Sequence, residues 1–428
     1  MSKLSTKPYK GARDFYPEDK RLQNYLFGVM RLVCERFGYE EYDAPILEPT
    51  DMYLKKGNQE IIEEQTYTFT DRGDRSVTLR TEMTPTVARM VSGQRQELGY
   101  PLRWYSIPQC WRYERTQRGR GREFYQLNVD IFGDDSVAAE HELLLLSTEL
   151  MSLYGAQPEH YEIRLNSRAF MNWVLEQHFG LTGDALAATL RLIDRIHKLP
   201  RDVFARKLAT HLSDDQAKDL QALLEVASID ELPARFNEAT TLEPLMHLMQ
   251  LCESSNLKNV VFDPSITRGF DYYTDIVFEV FDTHPDNNRS MFGGGRYDNL
   301  LEAFGAEPVP TVGFGMGDHT LINFLELHDL LPDIPVETDI YAVCIGDTYQ
   351  AAIDIVSNLR AENINVALDA TGRKLDKCIK TADKKGIAHV LFIGQTELDN
   401  NSFTLRNINS GQETSGTIDE LVQAVLTQ

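Results

Sequence analysis

The sequence lacks the marks of membrane, secreted and disulfide-stapled proteins. Across 428 residues, no apolar run approaches the roughly 18 residues that a membrane-spanning helix requires. The opening residues, MSKLSTKPYKGARDF, contain no apolar core of a signal peptide. The five cysteines are scattered without a CxxC pair, which argues against a disulfide framework and a structural zinc site. We therefore expect a cytoplasmic protein that has no membrane partner and uses its cysteines as small core residues.

The chain also lacks the basic excess that is typical of nucleic-acid-binding proteins. Its formal net charge is −22, whereas phosphate binding depends chiefly on lysine and arginine. Two local clusters oppose this average, each with a charge of +4. Residues 112–122 hold five arginines and one acid, and residues 372–386 hold six basic residues and two acids. An acidic body with two basic patches would repel RNA except where those patches lie.

The first basic cluster lies between two segments that have the pattern of strands. Residues 102–112 are rich in aromatic and apolar residues. Residues 123–132 alternate large apolar residues with Gln126, Asn128 and Asp130. Guanidinium groups match phosphate oxygens in pairs. We interpret the stretch as a hairpin whose inner face lines a polar pocket and whose loop binds polyphosphate, nucleic acid or both. A solvated basic loop is the alternative.

The hairpin resembles motif 2 of the class II aminoacyl-tRNA synthetases, in the order found in histidyl-tRNA synthetases. The matching residues are Arg112, Glu114, Gly119, Arg120, Glu123, Phe124 and Gln126. Two further stretches are similar to motifs specific to that family: residues 267–273, TRGFDYY, and residues 291–301, MFGGGRYDNLL. The resemblance covers nearly the whole chain, with the motifs in the family's order.

Two broader motifs of the family are also present. Residues 20–37 have helical spacing and precede an extended segment that contains Pro45, as in motif 1, which builds the family's dimer interface. Residues 310–319 read as a strand with alternate glycines, as in motif 3. Where the family usually has Glu-Arg, this chain has His319 and Thr320, so the arginine that normally stacks over adenine is missing.

The patterns along the chain favour two domains. Residues 1–330 resemble the class II catalytic domain, an α+β fold whose antiparallel sheet is flanked by helices, with a helical insertion at about 167–257. Residues 338–428 alternate three strands with helices, which predicts an α/β domain with a largely parallel sheet. This second domain resembles the C-terminal anticodon-binding domain of several class II synthetases. Its basic helix, within residues 373–385, is a candidate RNA contact, with a solvated basic face as the alternative.

The resemblance assigns catalytic and ATP-binding roles. It implies that Arg112 and Arg268 are catalytic and hold the α-phosphate of ATP. Arg120 and Mg²⁺ would bind the outer phosphates of ATP. Protein ligands alone would not hold the metal. Glu114 falls where the family contacts ATP, and Phe124 falls where it stacks on adenine.

A second set of residues is expected to bind the amino acid. Glu82 and Thr84 are two residues apart, which on a strand would put them on one face. A buried carboxylate there needs a cation such as an α-amino group. The resemblance gives Glu82, Thr84 and Gln126 to the ammonium end of histidine, and Asp130 and Tyr272 to the imidazole, with Tyr273 as a second flat wall. Bacterial relatives often have glutamate at the position of Asp130.

The function that the resemblance implies is ligation of L-histidine to tRNA. ATP would activate histidine to histidyl-adenylate, and the 3′ end of tRNA(His) would receive it, with Arg115 and Gln117 at the acceptor stem. The family works as a homodimer. One alternative is a non-catalytic regulatory subunit of histidine biosynthesis, which predicts loss of the C-terminal domain and of the arginines. The other is an RNA-binding module, which needs neither Glu82 nor the paired tyrosines.

Overall fold

The computed structural model describes residues 4–54, 65–115, 117, 119–196, 199–236, 239–267, 272–287 and 289–426. The chain forms two compact units, Met1–Leu331 and Pro332–Gln428, each with its own hydrophobic core. Within those described ranges, no helix is both long enough and apolar enough to span a bilayer.

A large sheet organises the first unit. The described strands of the whole first unit, in chain order, are β1 (Glu40–Glu41), β2 (Leu47–Pro49), β3 (Thr68–Thr70), β4 (Ser76–Leu79), β5 (Leu102–Ser106), β6 (Gln109–Trp111), β7 (Glu123–Phe132), β8 (Tyr161–Ser167), β9 (Val260–Phe262), β10 (Ile276–Asp282), β11 (Ser290–Arg296) and β12 (Thr311–Gly317). The order in the large sheet is β1-β5-β7-β12-β11-β10-β8-β9, and β6 pairs with the start of β7. All neighbours from β5 to β8 are antiparallel, as predicted, and the two outermost pairs are parallel.

The extended segment around Pro45 is split between two sheets. Strand β1 lies at one edge of the large sheet, and β2 lies at one edge of a small antiparallel sheet of order β2-β4-β3. Proline has no N–H to donate to a ladder, which is why the chain leaves one sheet before it and enters the next after it. The two strands on either side of Pro45 therefore both lie at sheet edges.

Helices surround the large sheet. In the first unit they are α1 (Pro17–Arg36), α2 (Asp51–Leu54), α3 (Thr84–Gln94), α4 (Val137–Leu153), α5 (Arg168–Trp173), α6 (Gly183–Ile193), α7 (Arg201–Leu208), α8 (Asp214–Leu224), α9 (Glu243–Ser254) and α10 (Asp318–Leu327). Helix α1 begins at Pro17, a residue suited to the first turn, and the chain after it turns at Gly38, whose φ of +80° favours glycine. Between Arg168 and Ser254 the described residues form helices and short turns and no strand.

The two faces of β7 determine where a site can form. Leu127, Val129 and Ile131 are fully buried in one apolar cluster with residues of α1 and α4. Because side chains alternate along a strand, Gln126, Asn128 and Asp130 face the other way. Burial of the apolar row thus holds a polar row on the opposite face of the sheet.

The second unit is an α/β domain with a mixed sheet. Its elements are β13 (Ile340–Ile345), α11 (Tyr349–Ala361), β14 (Val366–Asp369), α12 (Leu375–Lys384), β15 (His389–Gly394), α13 (Gln395–Asn400), β16 (Phe403–Asn407), β17 (Glu413–Gly416) and α14 (Ile418–Leu426). Strand β13 pairs in parallel with β14 and β15, as predicted. Strands β16 and β17 extend the sheet antiparallel and were not predicted. Strand β17 is polar and largely exposed, so it carries no strand-like apolar pattern. Strand β16 does carry such a signal, because Phe403 and Leu405 are buried two residues apart, but the alternation covers only three residues.

Candidate active site

The polar face of β7 forms the floor of a pocket. Seven of the residues predicted for the site line it: Glu82, Thr84, Arg112, Gln126, Asp130, Tyr272 and Tyr273. They come from four separate parts of the chain, which the sheet order brings together. The predicted polar pocket on the hairpin's inner face is therefore present in the fold.

Glycines on the neighbouring strand give the pocket its depth. Gly313 pairs with Asp130 in register, and Gly315 pairs with Asn128. A Cβ on Gly313 would clash with the Asp130 carboxylate, and one on Gly315 would lie 2.7 Å from Nε2 of Gln126. The alternate glycines of the motif 3 strand therefore leave room for the polar side chains that project from β7.

Asp130 lies at the deep end of the pocket. It is only 4% exposed, and its Oδ1 accepts a hydrogen bond from the hydroxyl of Tyr297. Burial raises the pKa of Asp130 to about 7, although the Tyr297 hydrogen bond lowers it. The carboxyl thus titrates near neutral pH, where it can accept a hydrogen bond from a bound N–H group.

Glu82 and Thr84 reach the pocket in a way that differs from the sequence analysis. Strand β4 ends at Leu79, and Thr84 is the first residue of helix α3, so the expectation that both lie on one strand is wrong. The reason is Pro85, whose fixed φ and missing N–H suit the first turn of a helix. Both side chains still line the pocket, because the turn between strand and helix points into it. Glu82 is 5% exposed and accepts a hydrogen bond from the Tyr272 hydroxyl at 3.5 Å.

Arg112 is held at the pocket wall. Its Nε donates to the carbonyl oxygen of Thr81 at 3.0 Å, and its guanidinium carbon lies 5.2 Å from the centre of the Phe124 ring. Oε1 of Glu114 lies 3.9 Å from Nη1 of Arg112, and Oε2 of Glu114 accepts a hydrogen bond of 3.5 Å from Nη1 of Arg120. Arg112, Glu114, Phe124 and Arg120 therefore lie together, with an acid that neutralises part of the arginine charge.

The remaining arginines of the loop have different surroundings. Arg122 supports the loop itself, because its Nε donates to the carbonyl oxygen of Glu114 and its guanidinium stacks 3.9 Å from the centre of the Tyr113 ring. Arg115 and Gln117 are exposed at the tip, as a contact with a large partner requires. The Gln117 amide oxygen accepts a hydrogen bond from Arg289 at 3.2 Å. The prediction of a purely solvated basic loop does not describe this hairpin, since part of its charge is built into the fold.

Arg268, the second predicted catalytic arginine, lies outside the described residues. Its motif ends within them: Tyr272 and Tyr273 follow it and line the pocket. Their rings lie 4.8 Å apart and tilted by 49°.

The departure from motif 3 has a clear structural consequence. Oγ1 of Thr320 lies 2.8 Å from the carbonyl oxygen of Met291 and 3.0 Å from that of Gly317, so its hydroxyl is hydrogen-bonded to the backbone. Nε2 of His319 lies 3.1 Å from the carbonyl oxygen of Glu123. Both side chains thus connect the start of α10 to neighbouring strands.

Sequence reasoning missed three residues that build this site. Tyr297 lines the pocket, and Arg296 beside it forms a buried ion pair with Glu140 at 2.6 Å. Arg13 joins the N-terminal segment to two other elements, through Glu123 at 3.1 Å and Asp318 at 2.8 Å. The motif around residues 291–301 contains Arg296 and Tyr297. Their partners, Glu140 and Asp130, lie far away in the chain, so the sequence alone does not reveal these contacts.

A metal centre of protein ligands does not form within the described residues, where no group of three His, Cys, Asp or Glu side chains could hold an ion. A magnesium ion would thus need ligands from a bound polyphosphate, and Glu114 is the carboxylate placed beside the arginines.

Comparison with known proteins gives consistent relatives. A family model described as histidyl-tRNA synthetase matches residues 11–321, and one described as anticodon binding domain matches residues 334–428. The histidine–tRNA ligase of Leptospira biflexa is 39% identical, over 99% of this chain and 98% of its own. That of Halobacterium salinarum is 37% identical, over 96% and 95%. The crystal structure of histidyl-tRNA synthetase from Nostoc sp. PCC 7120 has a TM-score of 0.84 at 22% identity, over 99% of this chain and 100% of that one, and shows the same fold. On this sequence similarity, the chain belongs to the histidyl-tRNA synthetase family.

Proposed function

We propose that the protein joins L-histidine to tRNA(His) in two steps, using ATP. The observation that carries the proposal is the composition of a single pocket. Two carboxylates of different environment, Glu82 and Asp130, lie around the same cavity as the guanidinium of Arg112. Relatives that match nearly the whole chain, C-terminal domain included, are named histidine–tRNA ligases, which does not favour a regulatory subunit.

Histidine fits between the two carboxylates. Its ammonium group would lie at Glu82, where Thr84 and Gln126 add oxygen acceptors. A buried carboxylate needs such a cation to offset its desolvation. The imidazole would reach Asp130 alongside the ring of Tyr272, against which the ring of Tyr273 packs. A neutral imidazole has one N–H donor and one acceptor, so an acid and a tyrosine hydroxyl can satisfy both.

ATP would bind across the arginine end of the pocket. Arg112, with Arg268 as its proposed partner, would hold the α-phosphate, and Arg120 would hold the outer phosphates. Phe124 would stack on adenine, next to the contact of Glu114 with ATP. Mg²⁺ would bind mainly to phosphate oxygens and would offset charge on the leaving pyrophosphate.

The chemistry needs positioning more than covalent help from the protein. In the first step, a carboxylate oxygen of histidine attacks the α-phosphorus and pyrophosphate leaves, which gives histidyl-adenylate. In the second step, a terminal ribose hydroxyl of tRNA attacks the activated carbonyl carbon and AMP leaves. A guanidinium placed at the α-phosphate stabilises the negative charge that builds on its oxygens in the first step.

Two further surfaces would take part in tRNA binding. Arg115 and Gln117 are exposed at the loop tip and would contact the acceptor stem. In the second unit, Arg373 was included in the candidate basic helix, but it precedes α12 and is bound to Asp369 and the Tyr341 hydroxyl. The exposed lysines of this segment therefore remain as the proposed RNA contacts: Lys374, Lys377, Lys380, Lys384 and Lys385.

The protein would act as a homodimer, as its family does. Exposed apolar residues support an interface near motif 1, because Ile46 is 37% exposed and Leu47 is 42% exposed beside the edge strand β2. Sedimentation at working concentration would give twice the 48.8 kDa of one chain.

Attachment of labelled histidine to tRNA(His) tests the proposal. We expect wild type to be active and Arg112→Gln to lose a factor on the order of 10²–10³ in kcat, by analogy with the loss of an oxyanion-hole donor. Arg75→Gln is the matched control, because Arg75 is an exposed arginine paired with Asp71 outside the pocket. A wild-type protein that attaches no histidine, or an Arg112→Gln variant as active as Arg75→Gln, would contradict the proposed function.

A further inference from the structure

Tyr297 is a pocket residue to which neither the motif assignments nor the proposed steps give a role. It is 3% exposed, and its ring meets those of Tyr272 and Tyr273 edge-on, with centroids 5.6 and 6.0 Å away. Its hydroxyl donates to Oδ1 of Asp130. Burial and the nearby Asp130 charge raise the pKa of Tyr297 well above its usual value, so the hydroxyl keeps its proton and acts as a donor.

Arg296 and the backbone N–H of Tyr297 are both anchored by hydrogen bonds. Arg296 forms a two-pronged pair with Glu140, at 2.6 and 2.7 Å, and also donates to the carbonyl oxygens of Asp134 and Ser136. The Tyr297 N–H donates to the carbonyl oxygen of Thr311 at 2.8 Å. The tyrosine hydroxyl is therefore held at a defined point rather than reaching Asp130 by a chance rotamer.

Space for this contact is made by one glycine. The site that a Cβ of Gly313 would occupy overlaps both the Tyr297 hydroxyl and Oδ1 of Asp130. Because Gly313 pairs with Asp130 on one side and with Gly295 on the other, the tyrosine crosses above the β12 backbone to meet the acid.

We infer that Tyr297 is a positioning residue for recognition of the histidine ring. By occupying Oδ1 of Asp130, it fixes the plane of the carboxylate and leaves Oδ2 to accept the ring N–H of the substrate. Among the described residues, no hydrogen bond to Oδ2 is formed. The inference rests on the proposed function, since it concerns how the same pocket recognises histidine.

This arrangement selects a donor of defined direction. A carboxylate free to rotate could accept from many groups, whereas a fixed oxygen favours a donor that approaches from one direction, such as the N–H in the plane of an imidazole ring. Side chains without such a donor would leave a buried acceptor unpaired, which is costly. Tyr297 therefore contributes to specificity without touching the reacting atoms.

The test measures histidine-dependent exchange of pyrophosphate into ATP by Tyr297→Phe, which removes only the hydroxyl. We expect the KM for histidine to rise about tenfold to a hundredfold, the range for a hydrogen bond to a charged acceptor. The KM for ATP should stay within about twofold, because the hydroxyl lies at the imidazole end of the pocket. Tyr154→Phe is the matched control: Tyr154 is also buried, and its hydroxyl donates to the Leu26 carbonyl oxygen at 2.7 Å, outside the pocket. It should leave both KM values unchanged.

Two further measurements separate positioning from a structural role. If Tyr297 acts through Asp130, the double variant Tyr297→Phe with Asp130→Asn has the histidine KM of Asp130→Asn alone; additive increases would overturn the inference. The second is pH dependence. As the pH falls, protonation of Asp130 should raise the KM for histidine. The Tyr297 hydroxyl lowers the pKa of Asp130, so in Tyr297→Phe this rise in KM should occur at a higher pH than in wild type. Comparing each variant with wild type cancels the titration of the substrate. Tyr42, which faces Asp130 and has a raised pKa, keeps its proton throughout.

The outcomes distinguish the inference from the function on which it rests. If wild type shows no exchange with histidine, the proposed function fails and the inference falls with it. If wild type exchanges and Tyr297→Phe matches Tyr154→Phe in histidine KM and pH profile, the inference alone is wrong. A raised histidine KM, an unchanged ATP KM and non-additivity with Asp130→Asn together support it.

Discussion

Asp130 is a pocket residue whose burial disfavours the ionised form of its carboxyl group. Burial raises its pKa to about 7, so the folded state binds a proton more tightly than the unfolded chain does. The stability associated with that proton is complete below the ordinary aspartate pKa and is lost as the pH rises through 7. The proposed recognition of the histidine ring by Asp130 therefore carries a local cost in stability near neutral pH.

Replacing Asp130 by asparagine should reveal this cost. At pH 8 we expect Asp130→Asn to unfold at a higher denaturant concentration than wild type, with a gain on the order of 3 kcal/mol in the free energy of unfolding. At pH 5 the gain should be clearly smaller, because wild-type Asp130 is then largely neutral. Urea unfolding at both pH values measures it, alongside the expected rise in histidine KM. If the gain in the free energy of unfolding of Asp130→Asn over wild type is smaller at pH 8 than at pH 5, the assigned direction of the Asp130 pKa shift is contradicted.

At the same scale, the motif letters were sufficient for some residues and insufficient for others. Glu82, Gln126 and Asp130 could be placed because each belongs to a short pattern of the family. Tyr297 and Arg13 could not, because the acids that they bind lie 167 and 110 residues away. Contacts of that range depend on sheet order, which a local pattern does not encode.

Among the secondary-structure elements, β12 shapes the pocket because its glycines have no side chains to fill it. Gly313 and Gly317 lie on the same strand, but a Cβ at Gly313 would overlap Tyr297 and Asp130, whereas one at Gly317 would meet Oγ1 of Thr320 at an ordinary 3.6 Å. Neither position has a positive φ. The two glycines thus form a matched pair in which one position is filled and the other is open.

Gly313→Ala should abolish histidine-dependent exchange while Gly317→Ala retains most of it. The added methyl at Gly313 must displace the tyrosine hydroxyl or the carboxylate, and crowding of this kind typically costs about 1–3 kcal/mol in stability as well. Exchange assays and thermal melts of the two variants measure both effects. Equal activity of the two variants would show that the space above Gly313 is not needed for binding.

Helix α4 and strand β11 are joined by the buried pair of Glu140 and Arg296. Removing one charge leaves the other buried, so Glu140→Gln should lower the free energy of unfolding by about 3 kcal/mol or more. Glu149→Gln is the control, because Glu149 pairs with Arg36 on the surface and exposed pairs contribute about 0–1 kcal/mol. Denaturant titration compares them, and similar losses for both would argue against Arg296 as the anchor of the strand.

The elements themselves were predictable where periodicity was strong. The alternation along β7 and the helical spacing of α1 follow directly from burial of one face. Thr84 was misplaced because two residues at strand spacing are equally compatible with a strand end and a helix start. Strand β17 was missed because it is an edge strand whose exposed polar side chains lack the apolar alternation that reveals a strand in a sequence. Strand β16 lies inside the sheet, and the short alternation of Phe403 and Leu405 was its only signal.

For the whole molecule, the division into two units separates the proposed activation pocket from the proposed RNA contacts of the second unit. The pocket lies entirely in the unit Met1–Leu331, which has its own core. A protein truncated after Leu331 should therefore retain histidine-dependent pyrophosphate exchange. Its KM for tRNA(His) should rise by about tenfold or more, through loss of phosphate contacts from the exposed lysines.

The control for this truncation is exchange activity itself, measured on the same preparation. Full-length protein should also show a tRNA KM that increases steeply with salt, since each phosphate contact adds to the salt dependence. A truncated protein that charges tRNA(His) as well as the full chain would show that the second unit is not needed for tRNA binding.

The net charge of −22 was a poor guide at this scale, because binding depends on where charge lies rather than on its sum. The most direct measurement of the central claim is exchange of pyrophosphate into ATP with each of the twenty amino acids in turn. We expect exchange with histidine, and none above background with the other nineteen. Exchange driven by a different amino acid, or by no amino acid at all, would contradict the claim.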